Sequence, residues 1–481
     1  MNPNPDAPIG LILTAILGYS LGLILFGLWM SRRMQGSEGF FVAGRSLGPG
    51  LVFSTFLAAN IGSGSIIGAA GLGYRDGISA WWWVGSAGIG SLVLALWIGP
   101  RIWRVATQNG LYTAGDYLEH RYGPSVRATI AALLWIVTLS ILSAQLIAMS
   151  QIFEFVLGTP RWVGALLGGI VMTAYFTAGG LLSTAWVNMV QLVVLFVGML
   201  IAVPLALSTA GGWEAVQAAA PAQAEWSNFW SGPGSGWLLL PLLVPAFIVS
   251  PGLLQKSYGA RDERSVRIGI GVQGLVLLGF AAVPMMLGMI ARVYAPELGA
   301  NSEFAVPTVL IQGLPPLLGA LGLAAVFSAE VSSADAVLFM LSTSLSKDLY
   351  KRFLAPDATD AQVLRVARLA AVGGGVIGVG LAVVQPTVLG ALTIFYSVLS
   401  VSLFVPIVAG LHSRRPGVPE VLAAIGGGIA VLAVARLSAL NESSRLLDPT
   451  LLGIAASGVA FLLVFAVRRP GREGGGAPST S

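Results

Sequence analysis

The chain of 481 residues has no cysteine, only two histidines and few charged residues. The lack of cysteine excludes a disulfide scaffold, a thiolate metal site and a cysteine nucleophile. His120 and His412 leave little imidazole for catalysis or metal binding. Charged residues make up 10% of the sequence, whereas a soluble protein carries about 25%. These shortages exclude an ordinary soluble enzyme.

Apolar residues dominate the composition, because 56% of the chain is hydrophobic. A helix needs about 20 mostly apolar residues to cross a bilayer. Thirteen stretches approach that length: 9–30, 50–72, 78–99, 127–156, 162–178, 185–209, 236–254, 267–293, 314–345, 366–384, 387–411, 418–436 and 449–467. The sequence therefore predicts an all-α polytopic membrane protein with about thirteen transmembrane helices.

The basic residues alternate between the loops that these spans define. Of the 26 lysines and arginines, 21 fall in loops after odd-numbered spans and 5 on the opposite side. Short cytoplasmic loops carry an excess of Lys and Arg. We therefore expect the N-terminus outside, the C-terminus in the cytoplasm and a plasma-membrane location. This charge faces lipid, so nucleic acid is not an expected partner.

Two spans are interrupted deep inside their apolar runs. The second contains Asn-Ile-Gly-Ser-Gly-Ser at 60–65, and the seventh contains Ser-Pro-Gly at 250–252. Glycine and proline weaken helices, and unwound backbone at membrane depth is tolerated only inside protein or beside water. Close helix packing is one explanation. Two breaks five spans apart also match an inverted five-helix repeat with a transport site at the breaks.

The ninth span adds hydroxyl groups to an apolar helix. Ala329, Ser332 and Ser333 are three and four residues apart, which places them on one helix face. Together with carbonyls freed by a neighbouring break, these oxygens would form a neutral cage suited to sodium. Ser and Thr hydroxyls also bond to their own helix and tighten packing, so spacing alone leaves both readings open.

Four stretches of the chain resemble the sodium/solute symporter family. They are GFFVAGRSLGP (39–49), AANIGSGSIIGAAGLGY (58–74), AYFTAGGLLSTAWVNMVQ (174–191) and SAEVSSADAVLFMLSTSLSKDLYKR (328–352). The resemblance covers residues 35–412 and implies a LeuT-like five-plus-five inverted-repeat core with two broken helices. It implies one transporter domain over 1–481, with an extra helix at 9–30, repeats at 50–209 and 236–412, and extra helices at 418–467. We expect a disordered tail at 468–481.

The resemblance also implies the coupling ion and its ligands. Carried over by motif, a sodium ion would be held by two carbonyls of the first broken helix and by three oxygens of the ninth span. These positions are Ala58, Ile61, Ala329, Ser332 and Ser333. The expected function is therefore sodium-coupled symport, in which a small organic solute is imported by alternating access.

The solute site is less sharply marked by the sequence. The resemblance places solute beside both breaks, and the candidate contacts are Asn60, Ser65, Trp83, Gln145, Ser250 and Tyr396. The carboxylate typical of the sugar-transporting branch is missing from Trp81–Ser91, and the aromatic box of the choline branch is largely missing. An amino acid or a monocarboxylate fits what is left, since helix N-termini can hold a carboxylate.

Two acidic residues of the ninth span leave alternatives open. An ionisable residue at membrane depth suggests function, so Glu330 or Asp335 could couple protons to transport instead of sodium. Glu330 could equally face a water-filled vestibule, and Asp335 could be structural. A transporter-like membrane sensor is a further alternative. An enzyme is not expected, because no histidine or cysteine lies at membrane depth.

Overall fold

The computed structural model describes residues 8–31, 42–178, 181–221, 226–232, 234–438 and 448–468. The first half contains α1 (Ile9–Ser31), α2 (Pro49–Asn60), α3 (Ala69–Asp76), α4 (Trp81–Val93), α5 (Gly99–Gln108), α6 (Ala114–Tyr122), α7 (Pro124–Leu157), α8 (Arg161–Ala178), α9 (Leu181–Thr209) and α10 (Gly212–Ala218). Short π-helical turns, Gly64–Gly68 and Leu94–Ile98, precede α3 and follow α4.

The second half continues the all-helical pattern. It contains α11 (Leu239–Val249), α12 (Pro251–Tyr258), α13 (Glu263–Phe280), α14 (Ala282–Tyr294), α15 (Ala305–Gln312), α16 (Pro316–Thr343), α17 (Asp360–Val384), α18 (Val388–His412), α19 (Val418–Leu437) and α20 (Pro449–Val467). A 3-10 helix (Gly299–Phe304) precedes α15, and a π-helical segment (Ser344–Leu354) extends α16. The described residues hold only isolated bridges in place of strands.

Helical segments occupy each of the thirteen stretches expected from the sequence. Of the described helices, ten are long and apolar enough to cross a membrane, and eleven if the bent pair α11–α12 counts as one span. The count of thirteen therefore stays a prediction, although the all-helical membrane class is confirmed. The repeat and domain boundaries also stay predictions. Residues 469–481 of the expected tail lie outside the described part of the chain.

Both expected breaks are present in the structure. The helix α2 ends at Asn60, and Ile61 has the extended angles φ −106° and ψ 102°. The helices α11 and α12 meet at Ser250 with a bend of 42°. Pro251 begins α12, where its missing N–H costs no helical hydrogen bond. The two breaks face a shared interior, because α16 packs against both α2 and α12, and α11 packs against α18.

A buried charge cluster joins α6, α7 and the π-helical extension of α16. The guanidinium of Arg127 is 2.7 Å from carboxylate oxygens of Asp116, Glu119 and Asp348. The side chains of Arg127 and Asp348 are 8% and 5% exposed. Removing one partner of a buried ion pair is costly, because the remaining charge is left uncompensated. This cluster therefore fixes the loop helix α6 against the bundle.

Arg127→Met should lower the stability of the folded protein by about 3–5 kcal/mol, since three carboxylates lose their shared cation. The measurement is the apparent melting temperature of purified protein in detergent. Arg368→Met, which changes an exposed arginine of α17, is the matched control and should leave the melting temperature nearly unchanged. Equal melting temperatures for the two variants would contradict the role given to the cluster.

Candidate functional site

Two side chains accept hydrogen bonds from the backbone N–H groups that the first break frees. In a continuous helix the Gly62 N–H would bond to the Ala58 carbonyl; here it donates to Ser65 Oγ at 2.8 Å. The Ser63 N–H donates to Gln145 Oε1 of α7 at 3.1 Å. The Ser65 N–H bonds to the Gly62 carbonyl. The carbonyls of Ala58 and Ile61 are thereby released from the helical ladder.

Ser333 of α16 meets both released carbonyls. Its hydroxyl lies 2.9 Å from Ala58 O and 2.8 Å from Ile61 O. All three residues are almost fully buried. Three of the five positions expected for sodium thus converge, and the oxygen atoms that they bring together are two carbonyls and one hydroxyl, all neutral. Such oxygens fit a hard monovalent cation.

Ser332 and Ala329 lie on the same buried stretch of α16. The Ser332 hydroxyl donates to Asn188 Oδ1 of α9 at 2.7 Å, which leaves its oxygen lone pairs available. One turn earlier, Gln191 Nε2 of α9 donates to Ser328 Oγ at 2.9 Å. Sequence reasoning missed Asn188, although it is the one amide in the apolar run AWVNMV.

Two adjoining cavities lie between the breaks. Their volumes are about 30 and 50 Å³, and they share Ala59, Asn60, Ile141, Phe247 and Tyr396. The six residues expected to contact solute line one or both of them: Asn60, Ser65, Trp83, Gln145, Ser250 and Tyr396. The structure therefore brings together residues that are spread over more than 300 positions of the sequence.

An aromatic wall bounds these cavities. The ring of Tyr396 lies 5.2 Å from Phe247, 5.4 Å from Phe395 and 6.3 Å from Trp83, measured between centroids. Phe247 and Phe395 were not expected from the sequence, because nothing in a uniformly apolar span marks which aromatic faces inward.

The two acidic candidates lie near this region but outside the cavity linings. Glu330 is fully buried, and neither carboxylate oxygen has a hydrogen-bond partner in the described part of the chain. Asp335 is 4% exposed and its Oδ1 is similarly without a partner. The charged residue that lines a cavity is Lys256, on the second one.

Glu303 is another buried acid that the sequence did not reveal. It lies in the 3-10 helix before α15 and accepts from Gln151 Nε2 of α7 at 2.8 Å. It also accepts the N–H groups of Val388 and Leu389 at 3.1 and 3.3 Å, at the start of α18. A carboxylate stabilises a helix N-terminus, so Glu303 joins this loop to two helices that border the site.

Comparison with known proteins agrees with this architecture. The sequence model of the "Sodium:solute symporter family" matches residues 40–417. The chain is 26% identical to the sodium/glucose cotransporter of Vibrio parahaemolyticus over 73% of this chain and 70% of that protein. It is 24% identical to the high-affinity proline transporter PutP of Bacillus subtilis, over 75% of this chain and 78% of that protein.

Solved structures share the fold. A substrate-bound, outward-open sodium-coupled sialic acid symporter aligns over 96% of this chain and 98% of its own, with a TM-score of 0.76 and 16% identity. The nucleobase-cation symporter Mhp1 in a closed conformation aligns over 88% of this chain and 92% of its own, with a TM-score of 0.59 and 16% identity. These likenesses show the LeuT-like fold.

The chain belongs to the sodium:solute symporter family. It is a multi-pass membrane protein and a sodium-coupled symporter, not an enzyme, and sodium is its coupling ion. The names of its relatives identify them as transporters of different solutes, including glucose, proline and choline. The family therefore sets the class of transport without identifying the solute.

Gly62→Ala should abolish sodium-dependent transport, because a Cβ at this position would overlap the Ser333 side chain and lie 2.9 Å from Gln145 Oε1. The added methyl group would push α16 away from the break. Gly373→Ala on α17 is the matched control, since its Cβ would meet nothing within 4 Å. The measurement is sodium-stimulated uptake into liposomes, and normal uptake by Gly62→Ala would exclude the close approach described above.

Proposed function

We propose that this symporter imports a small organic solute by alternating access, with one sodium ion held between the first break and α16. The observation that carries this proposal is the contact of Ser333 Oγ with the carbonyls of Ala58 and Ile61. The proposed ligands are the carbonyls of Ala58, Ile61 and Ala329 and the hydroxyls of Ser332 and Ser333.

The charges around this point favour a cation. The helix α2 ends at Asn60, and a helix C-terminus carries a partial negative charge. The Ser333 hydroxyl donates toward these two carbonyl oxygens. Because its O–H bond can rotate, the proton can turn away and the hydroxyl oxygen can then face, together with the two carbonyls, a sodium ion bound beside them. Ser332 can contribute its oxygen while it still donates to Asn188.

The solute would occupy the adjoining cavities, where it would contact Asn60 and Tyr396, which line both of them. Asn60 borders the sodium-side break, and its Nδ2 has no hydrogen-bond partner among the described residues. Pro251 begins α12 without an N–H, and the first-turn N–H groups that follow belong to Gly252 and Leu253, which line the second cavity beside Ser250. These groups support an amino acid or a monocarboxylate as solute.

The distribution of charge supports the orientation of the protein. The excess of Lys and Arg in loops after odd-numbered spans favours an outer N-terminus and a cytoplasmic C-terminus in the plasma membrane. Inward sodium flow would then drive solute uptake. Uptake by purified protein in liposomes separates this function from that of a sensor, which would bind solute without moving it.

Ser333→Ala and Ser332→Ala should each raise the sodium concentration for half-maximal uptake. Loss of one oxygen facing a cation removes about 1.5–3 kcal/mol, which corresponds to roughly ten- to a hundredfold in affinity. The solute for this assay comes from a thermal-shift screen in sodium and in potassium, since a ligand stabilises the protein it binds.

Ser457→Ala is the control for these variants. Ser457 is fully buried in α20 and its hydroxyl has no hydrogen-bond partner in the described part of the chain. Its removal should leave the sodium dependence unchanged. If Ser332→Ala and Ser333→Ala combined also leave it unchanged, the proposed ligands are wrong.

Glu330 supports a second candidate, in which a proton also takes part in transport. Its carboxyl group is fully buried, next in sequence to the proposed ligand Ala329, and intramembrane acids often serve proton relays. A pH gradient without sodium should then drive uptake, and Glu330→Gln should abolish that uptake. Uptake that responds to sodium alone, with Glu330→Gln behaving like the wild type, would exclude this candidate.

A further inference from the structure

Lys256 is a buried cation that lines the second cavity and has no role in the proposed sodium ligand set. It lies in α12 and is 3% exposed. Its ammonium donates to the carbonyl oxygen of Thr55 at 3.0 Å and to Thr55 Oγ1 at 3.2 Å. A lysine ammonium has three N–H donors, so two of them are directed at one residue of α2. The second broken helix is thereby bonded to the first.

The helix α12 that carries Lys256 also packs against α16, and Ala336, Val337 and Met340 of α16 line the same cavity as Lys256. Asp335 is 4% exposed, and its Oδ1 has no hydrogen-bond partner in the described part of the chain. Lys256 is therefore hydrogen-bonded to α2 and lies on a helix that packs against α16, the helix of Asp335.

These two neighbours carry the two halves of the proposed sodium site. Thr55 lies about one helical turn before Ala58 in α2, and Asp335 lies two residues after Ser333 in α16. The position of the Lys256 ammonium therefore affects the distance between the carbonyls of the break and the hydroxyls of α16.

Hydrogen bonds also join the segment just before α2 to the segment just after α12. The Leu47 N–H donates to the Gly259 carbonyl, and the Arg261 N–H donates to the Leu47 carbonyl, both at 3.0 Å. Arg45 donates to the Tyr258 carbonyl at 3.2 Å. Because α12 is joined to α2 both here and at Lys256, a displacement of α12 would also move α2.

The helix α12 also borders the space proposed for the solute. Ser250, Gly252, Leu253 and Lys256 line the second cavity, together with Asn60 and Tyr396 from the other side. A solute in this cavity would contact α12. That helix is hydrogen-bonded to α2 through Lys256 and packs against α16.

We propose that Lys256 is a positioning residue that couples the solute cavity to the sodium site. In this role it does not ligate sodium; it lines the solute cavity and sets the spacing of α2 and α16. Sodium draws these helices together and so fixes α12, and a solute against α12 stabilises the same arrangement. The inference rests on the sodium site of the proposed function. Such coupling typically changes affinity about 5- to 150-fold.

Sodium binding without solute is the first test. Sodium chloride is titrated against potassium chloride, and thermal stability of the full-length protein reports binding. Lys256→Met should raise the half-saturating sodium concentration about tenfold, the equivalent of about 1.4 kcal/mol. Lys256→Arg keeps the charge and should restore affinity. Lys351→Met is the matched control, because Lys351 donates to the Ala358 carbonyl away from the site.

Coupling to the cavity is the second test, and the cysteine-free sequence makes it direct. Ala246→Cys places a single thiol on the second cavity, and N-ethylmaleimide alkylation measures its accessibility. Sodium should change the alkylation rate when Lys256 is present. Lys256→Met should remove this sodium effect, and Lys256→Arg should restore it. A purely structural role for Lys256 would alter stability without removing the sodium effect.

The outcomes distinguish this inference from the proposed function. No sodium effect on the wild-type chain, in either assay, would contradict the sodium site itself. A wild-type response that Lys256→Met retains in full would overturn the role of Lys256 and leave the sodium site standing. If Lys256→Met does not fold, Thr55→Val tests the inference in its place. This variant keeps the lysine and removes the Thr55 Oγ1 acceptor. It should weaken both the sodium affinity and the sodium effect on alkylation. Unchanged responses in Thr55→Val would overturn the inference.

Discussion

The architecture depends on how the backbone of the first break is satisfied at membrane depth. Each buried donor or acceptor left without a partner costs about 1–3 kcal/mol, and lipid offers no replacement. Ser65 and Gln145 accept the freed N–H groups of Gly62 and Ser63. The two freed carbonyls share a single donor, the Ser333 hydroxyl. Each freed N–H therefore has an acceptor of its own, whereas the two carbonyls share one proton and keep lone pairs that a cation can contact.

This asymmetry explains why small residues surround the break. A Cβ on Gly62 would overlap both Ser333 and Gln145. Gln145, which accepts the freed N–H, and Ser333, which faces the freed carbonyls, therefore both pack directly against Gly62. A larger residue at Gly62 or Ser333 would separate α2 from α16 and disperse the oxygens, because packed interiors deform little.

The sequence predicts the parts of this site that follow from local backbone rules. Gly62 and Pro251 interrupt helices wherever they occur, and Ser332 and Ser333 share a face through helical spacing alone. Contacts between distant segments are different. Gln145 caps Ser63 across 82 positions, and Glu303 meets Gln151 across 152. Such pairs depend on how helices are arranged, and a uniformly apolar sequence does not encode that arrangement in its periodicity. Phe247 was missed for the same reason.

A neutral ion site has a consequence for transport. Were the ligands carboxylates, sodium would be attracted in every conformation, because a fixed charge acts over a distance. Carbonyl and hydroxyl dipoles act over a shorter range than a full charge, so the proposed site at Ala58, Ile61 and Ser333 requires α2 and α16 to be together. Parting these helices by a few ångströms would release the ion without any change in charge. In the role proposed for it, Lys256 acts on these helices through its bonds to Thr55 and the packing of α12, so it influences ion binding through geometry.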